Sequence, residues 1–441
     1  MNSKTRAGKI PLFIAFIFAV SANAQVLTLD EAIKLGLDNS KQLKISSYKV
    51  EQAEIKYKQA TDLTLPSLKA SAGYTRLSDL EPPQIMFPGV DKPVALFPIY
   101  VNNYLAKVSL SETIFSGFRL RYAMESQKLL EEATKLDAVK DKDEVVFNIA
   151  NAYISIYKLE QSIKIVDQNL VSLDQRINET KKMEQQGVVL HNDELRLELQ
   201  KSNIQMTRID LQNNLEIAEY NFNILLGRNE KSDVIIDTTI VTKQSALLPL
   251  ERYLEEALKN RSDLQALSTR RKSLENNVKV ARTGYYPQMA VAANYYDSRP
   301  NPRVIPPQDK FVSTWDAGVV LTWDLMNLYS NKHVLADTKI QLQQSEEVQN
   351  QLVDNIKMDV NQSYVACQQA AQKIELTQVS VQQAEENYRI VNSRYNSSLA
   401  LTSDLVDANL VLLQAKVSQT LAHADALLSY YRLLKSTGSI K

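Results

Sequence analysis

Residues 398–408 read SLALTSDLVDA, and residues 187–195 read GVVLHNDEL. The first stretch interrupts a run from Val319 to Thr437 that holds neither glycine nor proline, and the second follows a similar run from Phe118 to Gln186. A short break in an otherwise uninterrupted helical sequence marks a turn between two helices. The two breaks stand 211 residues apart, so that Asp404 falls on Asp193 and Ser398 on Gly187. A break that recurs at a fixed spacing belongs to a duplicated unit.

The duplication extends outward from these turns. At an offset of 211, Leu110, Tyr153, Ile163, Leu199, Tyr220 and Gly227 fall on Leu321, Tyr364, Ile374, Leu410, Tyr431 and Gly438. Nearer the N-terminus the offset is 221, pairing Leu29, Leu37, Asn39, Leu43, Pro66 and Tyr74 with Leu250, Leu258, Asn260, Leu264, Pro287 and Tyr295. The ten-residue difference lies in one loop, longer in the first copy. The chain thus divides into a leader (1–24), a first repeat (25–228), a connecting segment (229–247) and a second repeat (248–441).

Each repeat is expected to run in the same order. A capped helix starts at Thr28-Leu29-Asp30-Glu31, or at Pro249-Leu250-Glu251, and continues until Pro66 or Pro287 ends it. Two short alternating segments follow, separated by a proline-rich loop. Next comes a very long helix; Phe118 to Gln186 would extend about 100 Å at 1.5 Å per residue. Its apolar positions Ile149, Tyr153, Ile156, Ile163, Val166, Leu170, Leu173 and Ile177 recur at the spacing of a coiled-coil seam. A second helix of about 35 residues ends at Gly227, a C-cap residue. The connecting segment, around SDVIIDTTIV, reads as partly extended.

The alternating segments carry the chemical clue. Leu68, Ala70, Ala72 and Tyr74 oppose Ser67, Lys69, Ser71 and Thr75, and Tyr104, Ala106, Val108 and Leu110 oppose Lys107, Ser109 and Ser111. In the second repeat Met289, Val291, Ala293 and Tyr295, then Trp315, Ala317, Val319, Leu321 and Trp323, form the apolar sides. About ten residues of alternation with aromatic ends fits transmembrane β-strands. A small soluble sheet buried on one side alternates identically. In lipid, strands have to close into a barrel, and barrels start at about eight strands. Four strands per chain therefore require sharing: a dimer supplies eight and a trimer twelve.

Composition narrows the functional classes. With 51 basic and 51 acidic residues the chain offers no polyanion-binding excess, so no nucleic-acid partner is expected. The single cysteine, Cys367, excludes an internal disulfide and a cysteine zinc site. The three histidines, His191, His333 and His423, are far apart and read as polar helix positions, so no metal centre is expected. No nucleophile–base spacing stands out, and the chain is not expected to be an enzyme. Lys4, Arg6 and Lys9, the apolar run Ile10 to Val20 and Ala22-Asn23-Ala24 make a secretory signal cleaved before Gln25. No cysteine follows the cut to carry a lipid, and no later stretch reads as a transmembrane helix.

The repeated order, together with VSLSETIFSG (108–117), EQQGVVLHNDEL (184–195) and RYNSSLALTSDLVDA (394–408), resembles the TolC-type outer-membrane efflux duct family over essentially the whole mature chain. The resemblance implies a mainly α-helical protein with a small membrane β-barrel contribution. The assembly would be a homotrimer with a twelve-stranded barrel among outer-membrane lipid, continued by an α-helical barrel in the periplasm. A periplasmic adaptor and an inner-membrane pump complete such a machine, and the duct itself passes substrate passively. The turns Gly187-Val188-Val189-Leu190 and Ser398-Leu399-Ala400-Leu401 would form the tip where the adaptor docks. Asp404 and Asp407 match a spacing from which some members build carboxylate rings at the constriction. Tyr395 and Asp193 match positions that hold a closed tip together by hydrogen bonds between helices.

The chain departs from the family pattern at Ser398, where glycine is usual, at His191, where a small hydroxyl is usual, and at Ala400, where an arginine can occur. Three copies of Asp404 and Asp407 around an axis would favour cations. Thr402, Ser403 or Asp404 would equally serve as an ordinary N-cap, and capping alone accounts for Asp193 and Asp404. Asp407 has no counterpart in the first repeat. Three alternatives to drug efflux stay open: a type I protein-secretion duct, a metal-ion export duct, and an exported coiled-coil scaffold with no channel.

Overall fold

The structure, a computed structural model, describes residues 26–238 and 247–440. The expected leader and cleavage point lie outside the described residues. In chain order the elements are α1 (Leu29–Asn39), α2 (Lys41–Asp62), β1 (Ser67–Arg76), β2 (Gln84–Ile85), β3 (Val94–Ala95), β4 (Asn102–Phe115), α3 (Arg119–Gln185) and α4 (His191–Leu226). They continue with α5 (Leu250–Asn260), α6 (Ser262–Arg282), β5 (Gln288–Arg299), β6 (Val312–Thr322), α7 (Asn327–Asn396) and α8 (Thr402–Ser436). The long helices α3 and α7 have 67 and 70 residues.

One expectation is corrected in both halves. The stretch from residue 29 to Pro66 is two helices, because Ser40 takes an extended conformation and its hydroxyl caps α2, accepting the Leu43 N–H at 3.2 Å. Arg261, 221 residues on, breaks α5 from α6 with nearly the same backbone angles. The first helix does begin with its expected cap: Thr28 and Glu31 exchange hydrogen bonds as a capping box.

The chain packs as two compact units. The first comprises residues 40–148, 247–372 and 428–440 and contains the sheet. Its four long strands are antiparallel in the order β1-β4-β5-β6. Register stacks the apolar positions in rows: Leu68 opposes Leu110, which opposes Ala293, which opposes Ala317. The next row is Ala70, Val108, Tyr295 and Trp315. On the other face Lys69, Ser109, Asn294 and Asp316 form a polar row, with Asn294 donating to Asp316 at 2.7 Å. Lys107 and Arg303 both lie over the Tyr296 ring. The apolar face is bare: Leu68, Trp315, Val319 and Leu321 are each about two-thirds or more exposed. β1 and β6 each pair on one side only.

The helical part of this unit is closed by Tyr253 and Ala257 of α5, Leu264 of α6, Ile356, Val360 and Cys367 of α7, and Leu433 of α8. Arg261 ties it together, pairing with Asp263 and Asp359 and donating to the Ser436 carbonyl near the end of α8.

The other unit comprises residues 26–39, 149–238 and 373–427. Val166, Leu173 and Ile177 of α3 pack on Leu197 and Ile204 of α4, with Val406 and Leu413 of α8 against them. The buried Tyr153 hydroxyl donates to the Leu27 carbonyl at 2.8 Å and accepts the Asp237 N–H at 2.9 Å, binding the connecting segment beside residue 27. Gly36 lets α1 approach closely, since a Cβ there would stand 2.4 Å from Ile149 Cδ1. No helix among the described residues is long and apolar enough to cross a membrane.

Candidate functional site

The two turns are built by one set of backbone bonds. At the end of α3 the Gly187 N–H reaches the Glu184 carbonyl at 2.8 Å and the Val188 N–H reaches Met183 at 2.9 Å. At the end of α7 the Ser398 N–H reaches Tyr395 at 2.9 Å and the Leu399 N–H reaches Arg394 at 2.8 Å. This is the Schellman arrangement, which needs a left-handed residue after the helix. Gly187 supplies it with φ 75°, and Ser398 adopts φ 57° despite its side chain.

The next helices start alike as well. The Leu190 N–H donates to Asp193 Oδ2 at 3.1 Å, and the Leu401 N–H donates to Asp404 Oδ2 at 3.1 Å. Both aspartates therefore reach back from the first helical turn to the cap position, where a negative charge also favours the helix dipole. Of the capping residues considered from sequence, Asp404 fills this role from the third helical position. Val188, Leu190, Leu399 and Leu401 project their side chains into solvent, Val189 and Ala400 are half-buried, and Gly187 and Ser398 are exposed.

Asp407 lies one turn beyond Asp404 on α8, both exposed and adjoining the side buried by Leu405 and Ala408. Among the described residues its carboxylate has no hydrogen-bond or ion-pair partner. Tyr395 is buried, with its hydroxyl 3.0 Å from Thr180 Oγ1. Asp193 is occupied with Leu190, so within the chain Tyr395 and Asp193 are not bonded to each other.

Several polar contacts here were not foreseen from sequence. Thr180 is fully buried against Tyr395, yet on α3 it reads as an ordinary threonine, and its counterpart at offset 211 is Val391. Asn169 and Asn409 exchange amide hydrogen bonds between α3 and α8, the shorter at 2.7 Å. Arg176 donates to Glu179 at 2.6 Å and to Asn396 at 3.2 Å. Glu184, His191 and Glu194 converge across the first turn. A signal for such pairs exists only once the chain reversal is known.

Farther along the same helices, burial and the nearby Glu219 push the Glu160 carboxyl up to about 7. Burial pushes the Tyr153 phenol up to about 12. Neither group sits at the turns.

The sequence profile of the outer membrane efflux protein family matches residues 32–228 and again residues 253–439. The chain belongs to the outer membrane efflux protein family. No curated protein matches it in sequence. Among solved structures, the outer-membrane protein VceC of Vibrio cholerae superposes with a TM-score of 0.76 at 16% identity, covering 93% of this chain and 96% of VceC. The CmeC outer-membrane channel of Campylobacter jejuni gives 0.77 at 17% identity, over 93% of this chain and 85% of CmeC. The open-state MtrE outer-membrane channel of Neisseria gonorrhoeae gives 0.75 at 18% identity, over 94% and 89%. These likenesses establish the fold that the repeated helix–strand order had suggested.

Proposed function

We propose that three copies of this chain form an outer-membrane channel of a tripartite efflux system. Three four-stranded sheets would close into a twelve-stranded barrel, and the long helices would continue it as a periplasmic tube. The repeats 25–228 and 248–441, joined by 229–247 after loss of residues 1–24, then alternate around a pseudo-sixfold axis.

The observation that carries this reading is the sheet. It has a bare apolar face with aromatic ends and two open edges, β1 and β6. In lipid such edges leave backbone groups unpaired at several kcal/mol each, so the sheet is stable there only in a closed ring. The polar face, with Lys69, Ser109, Asn294 and Asp316, then lines water.

The exposed apolar turns Val188-Val189-Leu190 and Leu399-Ala400-Leu401 suit docking of a periplasmic adaptor, which would link the channel to an inner-membrane pump. Energy comes from the pump, so the channel itself carries out no reaction and uses no cofactor. Asp404 caps α8, and Asp407, unpaired on the same face, is the better candidate to line the constriction. The test is conductance of the detergent-extracted protein in planar bilayers. Discrete cation-preferring conductances are expected, with the preference reduced in Asp407→Asn. A protein that never inserts or conducts overturns the reading.

A further inference from the structure

The first turn carries a side-chain cluster that the second lacks. Glu184 in the last turn of α3, His191 at the first position of α4 and Glu194 one turn later present donor atoms that all lie within 4.8 Å of one another. His191 Nδ1 stands 3.0 Å from Glu184 Oε1 and 3.5 Å from Glu194 Oε2. Donors bonded to one ion at about 2.0–2.2 Å stand roughly 3.0–3.5 Å apart in octahedral or tetrahedral geometry. Both separations from His191 fall within that spacing, and the two glutamates approach it from opposite sides of the turn. We propose that Glu184, His191 and Glu194 form a site for a divalent transition-metal ion of the zinc type that pins the end of α3 to the start of α4.

Charge and access agree with this assignment. Lys181 is the nearby cation, 3.1 Å from Glu194 Oε1 and 3.1 Å from Glu198 Oε1. It contacts Glu194 Oε1, whereas Oε2 is the oxygen turned toward His191. Glu184, Glu194 and Glu198 outnumber Lys181 here, an excess of acidic groups that a divalent ion balances. Glu194 is buried, whereas His191 is mostly exposed, so the site is anchored on one side and open to solvent on the other. An imidazole with two carboxylates suits zinc and its neighbours, whereas calcium and magnesium prefer oxygen alone.

The duplicated turn serves as an internal control. At offset 211 the three positions are Tyr395, Thr402 and Leu405, and all three are buried. The same backbone arrangement is therefore compatible with a packed, nearly apolar cluster. In the first turn those positions hold three metal-ligating side chains instead. The inference stands on this geometry and not on the channel reading.

The experiment uses full-length protein extracted from membranes, stripped with chelator and titrated with Zn²⁺ by calorimetry and with Co²⁺ by visible absorption. One saturable ion per chain is expected, with a ligand-field spectrum showing nitrogen coordination. His191→Ala and Glu184→Gln should each weaken binding by about tenfold or more, while Asp193→Asn, outside the cluster, should not. His191 is exposed, so its replacement leaves the fold intact. Absence of saturable binding, which would mean that a protonated His191 simply pairs with the two glutamates, overturns the proposal. So does binding unchanged in both ligand variants, which would place the ion elsewhere.

Discussion

Asp404 accepts the backbone N–H of Leu401 at 3.1 Å, and Asp193 accepts that of Leu190 at the same distance. The paired aspartates of the two repeats are thus caps first. Replacing either with alanine should cost about 1 kcal/mol of local stability, visible as faster amide exchange in the first turn of α4 or α8. Asp404→Asn keeps an acceptor oxygen and should lose less.

Asp407 provides the contrast. It has no cap to lose, so Asp407→Asn should leave amide exchange in α8 unchanged while lowering cation preference in planar bilayers. Equal loss of preference in Asp404→Asn would assign both residues to the constriction. No change in either would confine the pair to helix capping.

Ser398 occupies a left-handed conformation that glycine takes without cost. Ser398→Gly should therefore stabilise the α7–α8 turn by roughly 0.5–1 kcal/mol, partly offset by the freer unfolded chain. Gly187→Ala should cost about 1 kcal/mol at the first turn. A Cβ on Gly187 meets nothing within 4 Å, so that cost is backbone strain rather than a clash. Thermal unfolding of the two variants would show shifts of opposite sign.

Thr180 and Tyr395 share a buried hydroxyl pair between α3 and α7. Tyr395→Phe strands the threonine hydroxyl and should cost about 1–2 kcal/mol. Adding Thr180→Val should recover part of that loss, because an apolar pair has no unmet bond. A double-mutant cycle measured by denaturant unfolding gives the coupling directly.

Glu160 predicts a pH dependence. Its folded pKa, about 7, lies above the ordinary value of 4.5, so the folded chain holds the proton more tightly than the unfolded chain. That contribution is fully present below pH 4.5 and is lost as pH rises through 7. Water screens this half-buried group, which limits the effect to on the order of 1 kcal/mol. Glu160→Gln should remove this decline, seen as a flatter melting-temperature profile between about pH 5 and 8.

Much of the fold was legible because glycine and proline punctuate it. Pro66 and Pro287 stop helices, Gly187 and Gly227 cap them, and alternation marks the four strands. The breaks at Ser40 and Arg261 were not legible, since helix-forming sequence continues on both sides and Arg261 carries no capping signal. The paired turns could be located by their offset of 211, and their capping role follows from Asp193 and Asp404. The bond from Tyr395 to Thr180 spans 215 residues and leaves no local pattern. The Glu184, His191 and Glu194 cluster straddles a reversal, so its spacing means little until the turn folds it together.

The central claim is that open sheet edges are closed by other copies of the chain. Native mass spectrometry of the detergent-extracted protein measures this most directly. The account predicts an assembly of three chains that falls apart on heating, with Trp315→Lys on the apolar face preventing its formation in the membrane. A chain that stays monomeric after gentle extraction, or one recovered only in the soluble periplasmic fraction, would contradict it.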